Sequence, residues 1–193
     1  MAESDMKTVL HRYLAAAREA VLWKLEGLND YDVRRPLTPT GTNLLGLVKH
    51  LAGCELDYFG DVFGRTPAIA RPWSDDDDDN VDMWASPDES REFITDLYRQ
   101  SCAHADSTIE ALPLEAVGRV PWWAQDRQEV TLHQILIHMI AESHRHAGHA
   151  DIVRELIDGT AGLRQGNENL PNHEQKWWVA YRTQLEQAAR SHF

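Results

Sequence analysis

The 193-residue chain is 42% hydrophobic and 26% charged, the proportions of a globular protein able to bury a core without disulfide or metal staples, and its length predicts a single domain over residues 1–193. A formal net charge of -12, from 31 acidic against 19 basic residues, repels phosphate backbones and argues against nucleic-acid partners. No apolar run approaches the roughly 20 residues that cross a bilayer, and "MAESDMKTVL" lacks the apolar segment of a secretory signal, so a cytoplasmic location with no membrane partner is expected.

Helical periodicity dominates in chain order and no long stretch alternates as a strand, so the expected fold class is all-α. The first helix is predicted from about Ser4, its N-cap, to about Leu28, with Val9, Tyr13, Ala16, Ala20, Trp23 and Gly27 along one face. The prolines and glycine of "RRPLTPTG" stop it. A second helix is predicted from near Thr42 to about Phe63, with Leu44, Leu47, Val48, Leu51, Glu55 and Tyr58 facing inward. In the long connection that follows, the run Asp75 to Asp79 lacks the alternate spacing and glycine of a calcium-binding EF-hand loop and reads as a solvated loop.

Ser86, Pro87 and Glu89 form a capping box predicted to open the third helix. "GRVPWWAQDRQEV" reads as an irregular segment or short extended pair, after which Thr131 caps a fourth long helix ending near Gly159. A last amphipathic segment, about Asn172 to Arg190, carries Trp177, Trp178, Tyr181 and Leu185 and is expected to pack across one side or end of the others. Four long helices, two long connections and an extra C-terminal helix describe a four-helix bundle with an appendage. Cys54 and Cys102 lie far apart within helical patterns, which gives neither a CxxC pair nor a disulfide framework; buried or half-buried thiols are expected.

The fourth helix, "TLHQILIHMIAESHRHAGHADIVRELIDG", gathers most of the protonatable side chains of interest. At about 100° per residue, Leu132, Ile135, Leu136, Met139, Ile140, Ala150, Val153 and Ile157 define an apolar stripe. Glu142 and His146 fall inside it, His138 and His149 on its edge, and His133, His144 and Arg145 well away. An inward carboxylate needs a compensating partner. A divalent metal is one, because residues at i and i+4 reach a common ion, and the facing second helix offers His50 as a third ligand. Two imidazoles and a carboxylate suit Zn²⁺ first, and also Ni²⁺, Mn²⁺ or Fe²⁺; three protein ligands leave a position open for water or substrate. The plainer alternative is a helical ion pair between Glu142 and His146, with His50 a satisfied surface residue.

"LLGLVKHLAGCE" together with "LIHMIAESHRHAGHADIVRELIDG" resembles the DinB-like superfamily of metal-binding four-helix bundles, and more narrowly an actinobacterial subgroup of it. The similarity runs over most of the chain, including "RPLTPTGTNLLGLVKHL", "VPWW" and "HAGHAD". The resemblance implies an up-down-down-up bundle and a facial triad of His50, Glu142 and His146, the pair that helical rotation selects and its partner. The glutamate form is similar to the metal-binding domain of mycothiol-dependent maleylpyruvate isomerase, whose zinc triad is His, Glu, His. That family carries an acidic residue where this chain has His149, and a second domain without a counterpart in this sequence, so the isomerisation itself is not expected to transfer.

What the resemblance implies is a reaction class, S-transfer with a low-molecular-weight thiol such as mycothiol attacking an electrophilic small molecule. An open Zn²⁺ position lowers a thiol's pKa and presents a thiolate at neutral pH. His149 is then a candidate catalytic proton relay or water-orienting group, the alternatives being a partner of the metal-bound carboxylate or a structural role. Trp122 and Trp123 are candidates for the mouth of the site, and Arg145 and Arg154 for contact with a polar substrate, against packing and surface solvation as plain readings. Two other functions compete: a metal-dependent hydrolase, and a non-catalytic metal-binding or stress-response module in which His138 or His149 closes the shell. Bundles with exposed aromatic faces commonly pair, so a homodimer through the Trp177 and Trp178 segment is a further expectation.

Overall fold

A computed structural model describes residues 3–74 and 78–192; the first three residues of the Asp75 to Asp79 run lie outside the described residues. The chain is mainly helical, as expected: α1 (Glu3–Trp23), α2 (Asp30–Arg34), α3 (Leu44–Phe59), α4 (Arg91–Ala111), α5 (Leu132–Asp158) and α6 (Gln175–Arg190). The extended pair is present as antiparallel strands β1 (Val117–Arg119) and β2 (Glu129–Thr131). α3 packs on α4, α1 on α5, and α3 on α5. None of the described helices is long and apolar enough to cross a membrane.

Several boundaries and faces differ from the sequence expectation for identifiable reasons. α1 stops at Trp23 rather than Leu28, in a turn that reaches positive φ at Gly27 (75°). Its inward face is Leu14, Ala17, Arg18, Ala20 and Val21, continued past its end by Lys24 and Leu25; of the expected face Ala20 is buried, while Tyr13 is exposed. Two cations occupy core positions there because each has a partner, so an apolar-only stripe misplaces the face. Arg18 grips the fully buried Glu55 through Nε and Nη2, both at 2.7 Å, and Lys24 pairs with Asp151. The short α2 has no counterpart in the periodic reading; Asn29 caps it by accepting from Asp32 N at 2.9 Å.

α3 starts after Asn43, whose side chain accepts from Gly46 N at 2.8 Å, and ends at Phe59 before a 3-10 turn, Asp61–Phe63. α4 opens after Ser90, not Ser86. Only half of the predicted box forms: Ser86 N donates to Glu89 Oε2 at 2.7 Å, while Glu89 N donates to the Ser86 backbone oxygen at 3.1 Å, and Lys49 also holds the carboxylate at 2.8 Å, so a turn stands ahead of the helix. α5 meets expectation at both ends, with Thr131 accepting from Gln134 N at 3.2 Å and Gly159 in the left-handed region.

α6 does not pack across the other helices as expected: Trp177, Tyr181 and Leu185 are exposed, and an open groove is lined by Asp158 at the end of α5 together with Leu170, Trp178 and Leu185. The inward residues of α5 are already spent against α1 and α3. Arg154, considered for substrate contact, is instead buried and structural. Its Nη1 donates to the backbone oxygens of Lys24 (2.9 Å) and Glu26 (2.8 Å), and Asp158 holds its other nitrogens.

The core falls into two apolar clusters. One joins Leu44–Ala52 of α3 with Ala147, Ala150 and Val153 of α5; the other joins Phe59 and Val62 with Leu132–Met139 and Val130. Between them lie the middle turns of α3 and α5, where apolar packing gives way to polar side chains.

Candidate metal centre

Along α3 the inward edge at four-residue steps reads His50, Cys54, Tyr58; along α5, in the opposite direction, it reads His146, Glu142, His138. The rungs match. The rings of His50 and His146 are 4.9 Å apart, the donor atoms of His50, Cys54 and Glu142 all lie within 4.8 Å of one another, and the rings of Tyr58 and His138 are 4.7 Å apart. Two antiparallel helices thus face each other through stacked polar and aromatic pairs.

Of the three residues expected as ligands, Glu142 meets each histidine in turn, but His146 stands outside the donor cluster of His50, Cys54 and Glu142. Glu142 Oε1 is 2.9 Å from His146 Nε2 and 3.5 Å from His50 Nε2. Nitrogen and oxygen donors each about 2 Å from a tetrahedral ion stand about 3.3 Å apart, so these separations bracket what one cation requires. His50 is further prepared: its Nδ1–H donates to Asp82 Oδ2 at 2.6 Å, which aims Nε2 at the cluster, the arrangement usual for a metal-binding imidazole. The cluster of His50, Cys54 and Glu142 is therefore compatible with a divalent cation, and His146 adjoins it through Glu142.

Electrostatics act in the same direction for two of the three. Burial would raise the Glu142 carboxyl, but His146 and His50 beside it outweigh burial and hold it below its ordinary value. Burial and the neighbouring His50 charge lower His146, favouring the neutral ring that can bind a cation. For His50, burial alone would lower the pKa, but hydrogen bonds to Asp82 and Cys54 raise it to about 11. A cation bound through this ring would have to displace that proton. The Nδ1 of His146 is buried with no hydrogen-bond partner.

Asp82 reaches the site from a 3-10 turn, Val81–Met83, clamped to α3. Lys49 Nζ donates to Val81 O (2.9 Å) and Trp84 O (3.0 Å), and Asn43 Nδ2 donates to Met83 O (3.1 Å). Only glycine at position 46 permits this approach, since a Cβ there would sit 1.8 Å from Met83 O.

The other expected residues divide. Trp122 and Trp123 do gather at one end of the ladder: both indole N–H groups donate to Tyr58 Oη, at 3.4 and 3.2 Å, and Trp123 packs edge-on against His138 at 5.1 Å. His138 therefore belongs to an aromatic cluster with Tyr58 and Trp123. His149 is exposed, its ring 5.2 Å from that of His146. Arg145 is exposed and, among the described residues, has no ion-pair partner.

Sequence reasoning missed Cys54, Asp82 and Tyr58. Cys54 had a readable signal, its i+4 spacing from His50 on the face already assigned to the site. Asp82 had none, because it enters from an aperiodic connection.

The class these features define is a helical protein in which two facing helices bring imidazole, carboxylate and thiol groups together beside an aromatic wall. The family model of mycothiol-S-transferases matches residues 9–159, from α1 to the end of α5. The chain belongs to that family, within the DinB-like superfamily, and the membership supports thiol S-transferase activity in coarse terms. No curated protein matches the chain.

Proposed function

We propose that this protein is a divalent-cation-dependent transferase that joins a low-molecular-weight thiol of the mycothiol type to an electrophilic small molecule. The observation that carries the proposal is that Glu142 of one helix meets both His50 of the facing helix and His146 of its own, in a chain of this family. These three are the proposed ligands, with Zn²⁺ the proposed ion ahead of Ni²⁺, Mn²⁺ or Fe²⁺. When bound, the cation supplies Lewis acidity, lowering the pKa of a thiol so that thiolate is available at neutral pH.

The chain's own groups supply the rest. Asp82 orients His50, and the clamped turn keeps it there. Tyr58 Oη accepts from both indoles, which fixes the tryptophans and leaves its own proton free to donate toward a substrate. Trp122, Trp123 and His138 form the wall against which the electrophile is proposed to rest. His149, one turn toward solvent from His146, is the proposed relay that takes up the thiol's proton and passes it on as the thiol becomes thiolate, before that sulfur forms the new S–C bond and the leaving group departs with the bonding pair. Arg145 is proposed to contact polar parts of the thiol from the exposed side of α5.

The same proposal takes the chain as one DinB-like domain in which α1, α3, α4 and α5 form the up-down-down-up bundle. The free thiols of Cys54 and Cys102 support a reducing, cytoplasmic setting, and the exposed aromatic face of α6 supports homodimer formation. The test is zinc-loaded protein mixed with monochlorobimane and mycothiol, glutathione, cysteine or no thiol. Thiol-dependent conjugation that is lost in Glu142→Gln is expected. Metal-loaded protein that accelerates conjugation with none of the thiols would overturn the proposal, and turnover independent of thiol would replace it with metal-dependent hydrolysis.

A further inference from the structure

The ligand set described above uses one residue of α3 and two of α5, yet α3 presents a second donor at the same level. Cys54 lies one turn after His50 on the same face, with Sγ 3.5 Å from His50 Nε2. A thiolate at about 2.3 Å and an imidazole nitrogen at about 2.0 Å from a tetrahedral ion stand about 3.5 Å apart. The side chain is half-buried between the helices, and its donor atom falls in the cluster with those of His50 and Glu142. The helices therefore oppose an H-x-x-x-C pair to an E-x-x-x-H pair, two donors from each, and the i and i+4 spacing lets each pair reach a common ion.

We propose that Cys54 is a fourth, displaceable donor to the cation, the site's own thiolate holding in the resting protein the position that an incoming thiol takes. This rests on the metal-centre reading above. Cys54 gives up its thiol proton on joining the cation. When a small thiol exchanges for it, that thiol's proton passes to the Cys54 sulfur, so the exchange conserves charge and protons. A thiolate donor also shifts selectivity toward thiophilic ions and away from Mn²⁺.

The experiment is cobalt(II) titration of metal-free protein, followed by visible and near-ultraviolet absorption. Wild type should show both the d–d bands of a four-coordinate site and a thiolate-to-cobalt charge-transfer band without added thiol. Cys54→Val and Cys54→Ser should keep the d–d bands but lose the charge-transfer band, and should bind cobalt at least about tenfold more weakly, the lower bound for losing even an outer partner of a metal ligand. Adding N-acetylcysteine should restore the band in Cys54→Val. Cys102→Ala should match wild type. A wild type with d–d bands but no charge-transfer band, a band that survives in both Cys54 variants, or a band lost in Cys102→Ala would overturn the assignment. Failure of N-acetylcysteine to restore it would overturn the shared position. A wild type that binds no cobalt, or binds it as well as His146→Ala does, would instead sink the metal centre itself.

Discussion

Asp82 touches none of the proposed chemistry directly, yet its removal should weaken metal binding measurably. The perturbation is Asp82→Ala beside Asp82→Asn. Asp82 accepts from His50 Nδ1 at 2.6 Å, a charge-assisted bond, and that hydrogen bond, against the opposing effect of burial, holds the Asp82 carboxyl below its ordinary value. Loss of such a partner behind a ligating imidazole costs about 10- to 100-fold in affinity, or about 1.4 to 2.7 kcal/mol. The side chain is 30% exposed, so water can replace part of the bond. The amide variant keeps an oxygen for Nδ1–H and loses only the charge, which places D82N near the lower figure and D82A near the upper. The assay is competition for Zn²⁺ between metal-free protein and a chromophoric chelator at fixed pH, with circular dichroism melts to confirm the fold. A folded D82A that binds Zn²⁺ within about twofold of wild type, far short of the roughly tenfold minimum, would refute the reasoning.

Gly46→Ala places a methyl group against Met83 O, a backbone atom that can yield only if the Val81–Met83 turn shifts; Zn²⁺ affinity in the same titration should fall to the level of D82A, and an unchanged affinity would show that the turn position is immaterial. Glu55→Gln leaves the buried Arg18 without its bidentate partner, although Asp106 still accepts from Nη1 at 2.6 Å, so urea unfolding should show a loss near the lower end of about 3–5 kcal/mol. Arg18→Met with Glu55→Leu should recover most of it, and a loss below about 1 kcal/mol in E55Q would contradict the ion pair's role. Asp158 has a lowered folded pKa: burial would raise it, but hydrogen bonds from Arg154 and Thr160 prevail. Its contribution is therefore complete above the unfolded carboxyl value and disappears as pH falls through the lower folded value. Thermal melts across the acid range should show a shallower decline in Asp158→Asn than in wild type; parallel declines would remove this group from the acid response.

Much of the centre was legible because helical geometry makes it so. Glu142 and His146 sit one turn apart within an apolar stripe, which rotation alone selects, whereas His50 lies at the margin of its own helix's stripe and was joined to them through the family resemblance. The limits of α5 were legible for the same local reason, Thr131 at one end and Gly159 at the other. What periodicity could not show depends on pairing between distant residues. Arg18 and Lys24 look like surface positions until Glu55 and Asp151 are seen opposite them, and the inward face of α1 was rotated accordingly. Ser86 and Glu89 carry a genuine capping pattern, yet Lys49, far away in sequence, draws the same glutamate into a turn that precedes α4. The tryptophans of α6 form an amphipathic face that is real, but no free stripe on α5 receives it.

The most direct measurement is a crystal of protein grown with Zn²⁺, with anomalous difference maps collected on both sides of the zinc absorption edge. A single strong peak is expected between α3 and α5, about 2.0–2.2 Å from His50 Nε2, a Glu142 carboxylate oxygen and His146 Nε2. Maps in which these three side chains keep only their mutual hydrogen bonds while zinc scatters elsewhere or nowhere would contradict the metal centre and the thiol chemistry assigned to it.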